Sequence, residues 1–352
     1  MASIESDVAA YEKWLRKQCR VDEAGLQAKH RRMGKSPFDF LRATYFRWAR
    51  TIEALCPHLA DAPPALCIGD IHIENYGTWR DADARLVWGI NDFDEAAVMP
   101  YAHDLVRLTT SALLAPDLKV PAGDVADAVL KGYARGLAEP KPFLLDQERA
   151  WLRLFVNPTG RSNRDFWDEL GRADDVKPEP AVKRALKRSL PEGAAVQRYA
   201  TRLKGGGSLG RPRVVAIATW QSGQVVREAK ALVPSAWDWA HGKVRRNRFL
   251  EAAYGPFRSP DPHLRIEGGY LLRRIAPDSR KIEVTDVQVH GLTEDLFVAM
   301  AADLAAVHAA SPKPQRLARD LQVRPTGWLL AAVTTARQAV ERDFARYRAP
   351  RG

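Results

Sequence analysis

The sequence feature that most restricts the fold is a run of alternating strand and turn signals between residues 196 and 230. Apolar and β-branched residues fill 196–203, 214–220 and the stretch from Val225 onward, and short glycine-containing segments separate them. Short turns of this kind join antiparallel strands, whereas parallel strands need a crossover of a dozen or more residues. The pattern therefore predicts an antiparallel sheet in the second half of the chain.

Helical periodicity dominates on both sides of this sheet. Helices are predicted over 11–19, 38–55, 125–137, 144–154, 236–253, 294–310 and 328–347, and further strands over 65–68, 86–93, 270–275 and 282–289. This order predicts an α+β fold in three parts. They are a mainly helical lobe over 1–190, an antiparallel sheet lobe over 191–292, and helices over 293–352 that pack back on the helical lobe.

Composition excludes several classes of protein. No apolar run approaches the roughly 20 residues that cross a bilayer, and the polar, acidic start is unlike a signal peptide. Three cysteines without CxxC spacing argue against a disulfide framework or a zinc site, so we expect a cytoplasmic protein. The net charge of +11 fits a polyanionic partner or ordinary solvated helix faces. A nucleic acid is possible but not favoured, because zinc-finger, helix-turn-helix and RNP patterns are missing.

The strongest chemical signal is a pair of acidic segments, each next to a predicted strand. The first runs from Gly69 to Asn75 and the second from Asn91 to Glu95. Asp70 and Asn75 have the D-x-x-x-x-N spacing of kinase catalytic loops, and Asp92 follows on the next strand like a metal-binding aspartate. We expect Asp70 to act as catalytic base, and Asn75 and Asp92 to hold Mg²⁺ with Asp94 as a further ligand. The plain alternative is that these residues cap turns.

Three more polar residues belong to this candidate site. His72 and Glu74 lie inside the acidic loop, and we expect them to support catalysis by orienting the loop or the substrate. A zinc role for His72 is disfavoured, because no second histidine stands at ligand spacing. Asp104 precedes an apolar helical run, so it is either a helix N-cap or a brace for the catalytic loop.

The glycine segment predicts a nucleotide-binding turn. Its residues Gly205, Gly207, Ser208 and Gly210 fit G-x-G-x-x-G, but a strand follows rather than the helix of a dinucleotide-binding fold. A glycine turn between antiparallel strands lets backbone amides approach phosphates. A flexible hairpin turn is the alternative reading.

The predicted strand from Val225 onward is expected to supply a cation for the nucleotide phosphates. It carries two candidates, Lys230 and Arg227, which point to opposite faces of a regular strand. Glu251, on the next predicted helix, is the candidate ion-pair partner of that cation.

These segments stand in the reverse of the usual kinase order, as a circular permutation would place them. They also resemble a known family, the bacterial domain-of-unknown-function 2252 (DUF2252) family, which is grouped with protein-kinase-like and aminoglycoside-phosphotransferase-like proteins. The resemblance rests on Ser36-Pro37-Phe38-Asp39-Phe40-Leu41-Arg42, on Gly69 to Gly77, on Asn91 to Glu95, on Arg227-Glu228-Ala229 and on the helix Leu304 to Ala310. It implies a permuted, two-lobed kinase-like fold. Relatives often carry lysine at the position of Arg227, and many kinases carry histidine or tyrosine at the position of Ile68.

The leading functional expectation is an ATP- and Mg²⁺-dependent phosphotransferase that acts on a hydroxyl of an unidentified small molecule or protein. The same acids could instead transfer a nucleotidyl group. From another class, the chain could be a nucleotide-binding pseudokinase or a polyanion-binding module without turnover. The sequence does not indicate the acceptor or the oligomeric state.

Overall fold

The computed structural model describes residues 2–116, 118–147, 150–156, 160–202, 207–242, 247–282 and 284–349. The first part of the chain is helical with short strands. Its helices are α1 (Ile4–Gln18), α2 (Glu23–Met33), α3 (Pro37–Ala43), α4 (Tyr45–Leu55), α5 (Ala102–Leu113), α6 (Ala122–Ala138), α7 (Arg153–Val156), α8 (Gly160–Gly171) and α9 (Pro180–Ser189). Its strands are β1 (Pro64–Cys67), β2 (Tyr76–Arg80), β3 (Leu86–Ile90), β4 (Ala97–Pro100) and β5 (Phe143–Leu144).

The second part carries the main sheet and the closing helices. Its strands are β6 (Ala195–Thr201), β7 (Arg213–Trp220), β8 (Gly223–Ala231), β9 (Arg265–Glu267) and β10 (Tyr270–Ile275). Its helices are α10 (Ala236–Ala240), α11 (Phe249–Ala253), α12 (Val284–Val289), α13 (Thr293–His308), α14 (Pro314–Val323) and α15 (Trp328–Arg348). The mixture confirms the predicted α+β class. In the part of the chain that the structure describes, no helix is long and apolar enough to cross a membrane.

The main sheet is antiparallel, with strand order β6-β7-β8-β10-β9. The positive-φ residues Gln221 and Ser222 make the tight turn between β7 and β8. In the register of the sheet, Lys230 of β8 lies opposite Arg213 of β7. Because side chains alternate along a strand, Lys230 and Arg227 point to opposite faces. The face that carries Lys230 looks toward the acidic segments.

The acidic segments lie on two smaller sheets. Strands β1 and β4 form one antiparallel pair, and β2, β3 and β5 form the other. The loop after β1 carries Asp70, and the turn after β3 carries Asp92. Hydrogen bonds join the two segments at Asn75, whose carbonyl accepts from the Asn91 amide at 3.1 Å.

Helix α13 forms the centre of the core. It is buried on all sides from Leu296 to His308, as expected of a helix without a polar face. It packs along α6 and also contacts β1 and β3. Helix α15 packs against α5, α3 and α4. The end of the chain thus supports both strands from which the acidic segments extend.

Four predicted elements need correction. The predicted helix over 38–55 is two helices broken at Thr44, whose side-chain hydroxyl donates to the Phe40 carbonyl at 2.6 Å and whose backbone leaves the helical region. The predicted helix over 236–253 is α10 and α11, with residues 243–246 outside the described residues. Within the predicted helix over 144–154, Leu144 ends β5, residues 148 and 149 lie outside the described residues, and the segment from Ala150 to Leu154 forms short turns of helix.

The fourth correction concerns the predicted strand over 282–289, which is helix α12 from Val284. The β-branched residues of this segment favour a strand locally. In the fold, Val287 is buried and α12 packs on α13, whereas Val289 is 85% exposed. Tertiary packing of one helical face therefore overrides the local preference.

Candidate active site

A cleft of about 440 Å³ separates the main sheet from the acidic segments. Most of the predicted site residues line it: Asp70, His72, Glu74, Asn75, Asp92, Asp94, Gly207 and Ser208. Gly205 lies outside the described residues. The fold thus brings into one cleft residues that are far apart along the chain.

Asp70 is held by a buried arginine. Its carboxylate forms an ion pair with Arg107, a side chain of α5 that has no exposed surface. Arg107 also donates to the Leu41 carbonyl at 2.9 Å and lies over the rings of Tyr45 and Trp48. Burial raises the pKa of Asp70 to about 7, because loss of hydration outweighs the attraction of Arg107. The site therefore presents a carboxylate with an unusually high proton affinity.

The loop that carries Asp70 needs a glycine at its start. Gly69 has a φ of +78°, which favours glycine, and a Cβ there would lie 2.5 Å from the Tyr45 hydroxyl and 2.6 Å from the Glu95 carbonyl. The tight passage turns the chain so that Asp70 faces the cleft.

Asn75 is oriented by the same loop. Its side-chain Nδ2 donates to the backbone carbonyl of Asp70 at 2.7 Å. A carbonyl only accepts hydrogen bonds, so this contact fixes the amide orientation. The Oδ1 atom is then the group of Asn75 that remains for a cation.

Lys230 bridges the two aspartates that follow β3. Its ammonium group contacts the Asp94 carboxylate and lies 3.4 Å and 3.5 Å from the two carboxylate oxygens of Asp92. Burial alone would raise the pKa of Asp92, but Lys230, Arg273 and Arg213 outweigh it and lower that pKa. Burial and the neighbouring Asp92 raise the pKa of Asp94. The two aspartates therefore form a compact pair of carboxylates that shares one ammonium group.

Arg227, the rival of Lys230, lies on the other face of the sheet. It donates to the Ser189 carbonyl at 2.8 Å, at the end of α9. Glu251 pairs with Arg248 at 2.6 Å at a half-exposed position, so the structure does not bring it to Lys230. The partners of Lys230 are the aspartates of the acidic segment instead.

His72 and Glu74 have contacts inside the loop. The Nδ1 atom of His72 accepts from the Glu74 amide at 3.2 Å, and burial lowers the pKa of this histidine, which keeps it neutral. Glu74 receives two hydrogen-bonded contacts from Arg42, at 2.7 Å and 3.0 Å, and lies 3.4 Å from Lys281. These contacts shape the loop between Asp70 and Asn75.

Asp104 braces the loop that carries Asp70 rather than capping its helix. Its two oxygens accept from the backbone amides of Ile68 at 2.7 Å and Gly69 at 3.0 Å. His308 of α13 donates from Nε2 to the same carboxylate at 3.1 Å. The hydroxyl of Tyr133 contacts Nδ1 of His308 at 2.9 Å. Cys67 is also close enough to make a three-residue metal-ligand set with Asp104 and His308. Because both Asp104 oxygens already accept hydrogen bonds, the cluster is explained as a brace.

A second brace supports Asp92. Asp303, also on α13, accepts from the Ile90 amide at 2.7 Å and from Arg258 at 2.6 Å. Arg258 also donates to the Ile90 carbonyl at 2.7 Å. Helix α13 therefore fixes the strand before Asp92 through Asp303 and the strand before Asp70 through His308.

Arg211 is a site residue that sequence reasoning missed. Its guanidinium lies 3.3 Å from Asp94 and 2.5 Å from Glu95, and it donates to the Tyr11 hydroxyl at 3.2 Å. It directly follows the glycine turn and joins that turn to the acidic segment. In the sequence it is one of many arginines, and only its place after Gly210 distinguishes it.

The N-terminal helices hold the glycine turn close to Asp70. Lys29 of α2 donates to the Gly207 carbonyl at 3.1 Å, and the Gly210 carbonyl accepts from the Asp22 amide at 2.9 Å. A Cβ on Gly207 would lie 2.8 Å from Oδ2 of Asp70. The glycine turn therefore lies close to Asp70 and requires a residue without a side chain at position 207.

Lys29 is expected to make the stability of the protein depend on pH. Burial lowers its pKa to about 8, so the folded protein loses this proton well before the unfolded chain does. Between about pH 7 and about pH 10 the unfolded state binds more protons, and stability therefore rises with pH. We expect wild type to gain about 2 kcal/mol over Lys29→Met across this range. Urea unfolding of both proteins measures it, and a difference that does not change with pH contradicts it.

Comparison with known proteins gives one relation. Neither a curated protein nor a solved structure matches the chain. A family model matches residues 20–140, which include the acidic segments and Asp104 and end before the main sheet. Over those residues the chain is similar to the family described as an uncharacterized protein conserved in bacteria (DUF2252).

Proposed function

We propose that the cleft is the active site of a phosphotransferase that uses ATP and Mg²⁺ and acts on a hydroxyl of a small molecule or a protein. The observation that carries the proposal is the convergence of Asp70, Asn75, Asp92 and Lys230 beneath a glycine turn. Phosphoryl transfer needs positioning and charge neutralisation more than covalent chemistry. This group supplies the side chains for both.

The donor set fits a magnesium ion. Asp92 and Asp94 offer carboxylate oxygens, and the orientation of Asn75 leaves an amide oxygen. Oxygen ligands of this kind are those that Mg²⁺ prefers, usually alongside nucleotide phosphates. When bound, the metal would neutralise the charge that develops on the phosphates. Lys230 already occupies the neighbourhood of both carboxylates, so it is placed to contact those phosphates as well.

Asp70 is the proposed base for the acceptor hydroxyl. One of its oxygens is held by Arg107, which fixes the orientation of the carboxylate. The other lies close to Gly207, which must move away before an acceptor can reach it. An acceptor hydroxyl that approaches on this side would give its proton to Asp70 as it attacks the phosphoryl group.

The arrangement of the sheet supports a kinase-like, circularly permuted reading. The described turn residues Gly207, Ser208 and Gly210 lie between the first and second strands of the main sheet, and Lys230 is on the third. Protein kinases place their glycine loop and phosphate-binding lysine in this way. The reversed chain order then requires the helix next to the catalytic loop to follow the main sheet, and α13 with His308 has that place.

One observation favours the alternative of a nucleotide-binding protein without turnover. Arg107 holds one oxygen of Asp70 and the glycine turn packs against the other, so the carboxylate is enclosed. Turnover then requires the glycine turn to move away from Asp70. A nucleotidyl transferase would use the same acids, with a different phosphate of the nucleotide in line with the acceptor hydroxyl.

Calorimetry of ATP binding tests the proposal. We expect wild type to bind ATP in the presence of Mg²⁺ and Asp92→Ala to lose at least about tenfold in affinity, because it lacks a metal ligand. Asp261→Asn is the matched control: it changes an acid that also lines the cleft but pairs with Arg274 rather than with Lys230. Folded wild-type protein that binds no ATP at millimolar nucleotide rules out the proposed site.

Turnover is tested separately. In a screen of acceptors followed by ADP release, Asp70→Asn should lower the rate by at least about a hundredfold while ATP affinity is retained. ATP binding without ADP release under any acceptor would favour the nucleotide-binding alternative.

A further inference from the structure

Three arginines surround one buried glutamate on the cleft side of the main sheet. Glu228 of β8 has no exposed surface and accepts from Arg273 at 2.6 Å, Arg202 at 3.1 Å and Arg213 at 3.4 Å. We call Arg202, Arg213 and Arg273 the arginine cluster. Arg202 directly follows β6, Arg213 begins β7, and Arg273 lies in the middle of β10.

The sheet register directs this cluster into the cleft. Glu228 lies opposite Arg273 on β10, and Lys230, two residues later, lies opposite Arg213 on β7. Residues two apart on a strand share a face, so Glu228 and the cluster are on the same face as Lys230. All three arginines line the cleft, and Arg213 also donates to the Ser208 hydroxyl at 3.0 Å. The cluster therefore lies beside the glycine turn.

In the described part of the chain, the arginines of the cluster outnumber the carboxylates that pair with them directly. These carboxylates are Glu228, which pairs with all three, and Glu169, which lies 2.9 Å from Arg202. Asp92 attracts Arg213 and Arg273 from further away. Burying cations is costly, and one arginine would be enough to pair Glu228. A purely structural ion pair does not account for three.

The buried glutamate also organises the donors. Each guanidinium presents donors in a planar fork that suits carboxylate or phosphate oxygens. Binding to a common carboxylate holds the three forks together and reduces the entropy that a ligand would otherwise lose in ordering them. The surroundings keep Glu228 ionised, because the arginines lower its pKa well below the usual range in spite of its burial.

We infer that the arginine cluster binds a phosphoryl group, as an anion site that is distinct from the metal-binding acids and works without metal. The inference deepens the proposed function, on which it rests for the identity of the ligand. Two ligands carry this chemistry: the nucleotide, through phosphates that are not transferred, and an acceptor that is itself phosphorylated. In either case the cluster, rather than Lys230 alone, neutralises the ligand.

Pyrophosphate binding in the presence of EDTA tests the site directly. Wild type should bind it, and Arg273→Lys and Arg213→Lys should each weaken binding by about tenfold, because lysine keeps the charge but loses the fork. Arg265→Lys changes a half-buried residue of the edge strand β9 that pairs with Glu267, and it should leave binding unchanged. Wild-type affinity in either cluster variant, with folding verified by circular dichroism, overturns the inference.

Glu228→Gln separates a binding role from a structural one. If the cluster only neutralises Glu228, removing the carboxylate should leave pyrophosphate affinity unchanged or reduced. If the cluster is an anion site, the variant should bind pyrophosphate several-fold more tightly, because a competing negative charge has been removed while the glutamine oxygen still accepts hydrogen bonds from the guanidinium groups. Should this variant fail to fold, the two lysine variants alone decide.

Two further arms identify the source of the phosphoryl group and separate the two proposals. Competition between pyrophosphate and Mg²⁺–ATP indicates the nucleotide phosphates, whereas simultaneous binding indicates a phosphorylated acceptor. Asp92→Ala should lose Mg²⁺-dependent ATP binding and retain pyrophosphate binding in EDTA. Failure of the metal site therefore shows in the first measurement, and failure of the arginine cluster shows in the second.

Discussion

Replacing Asp104 with asparagine is expected to destabilise the protein by about 3–5 kcal/mol. Asp104 has no exposed surface, and its carboxylate accepts from two backbone amides and from His308. Asparagine offers one acceptor oxygen and one NH₂ group in the same volume. Its NH₂ group must then face a backbone N–H or the ring N–H of His308, which leaves buried donors without acceptors.

Equilibrium urea unfolding of Asp104→Asn measures this loss. Asp124→Asn is the matched control, since Asp124 also lies in the first turn of its helix, α6, but is exposed. We expect the control to stay within about 0.5 kcal/mol of wild type. A loss below about 1 kcal/mol in Asp104→Asn would show that the brace contributes little to the loop before Asp70.

The acidic part of the candidate site could be predicted from sequence, because its residues stand next to strands that the sequence itself indicates. Asp70, Asn75 and Asp92 stand at short separations next to apolar strands, so a shared site follows from strand geometry. Their neighbours could not be predicted in the same way. Arg107 and Arg211 reach the site from distant elements, and in sequence a buried arginine looks like a solvated one.

The choice between Lys230 and Arg227 shows the same limit more sharply. Strand alternation predicts that the two face opposite sides, but the side that faces the cleft depends on how the sheet packs against α9. Glu251 shows a different error. It was expected to pair with the cation on β8, but it pairs with Arg248 at a half-exposed position instead. Contacts between elements far apart in the chain decided both cases.

Lys230→Met should make the stability of the protein depend on Mg²⁺. The Lys230 side chain is 1% exposed and is close to both Asp92 and Asp94. Removing the ammonium leaves two neighbouring carboxylates with less compensation, at an expected cost of about 3 kcal/mol in EDTA. A divalent cation that binds the same carboxylates replaces the lost charge, and at about a hundred times its dissociation constant it restores about 2.7 kcal/mol.

Thermal or urea unfolding of Lys230→Met, with EDTA and with saturating MgCl₂, measures this restoration. Lys281→Met is the matched control, because Lys281 also lines the cleft but pairs with Glu74. We expect Mg²⁺ to stabilise Lys230→Met much more than either wild type, in which the ammonium competes with the ion, or the control. If Mg²⁺ stabilises all three proteins equally, or none of them, Asp92 and Asp94 do not hold the metal. The proposed phosphotransferase would then lack its metal site, while metal-independent anion binding at the arginine cluster would be unaffected.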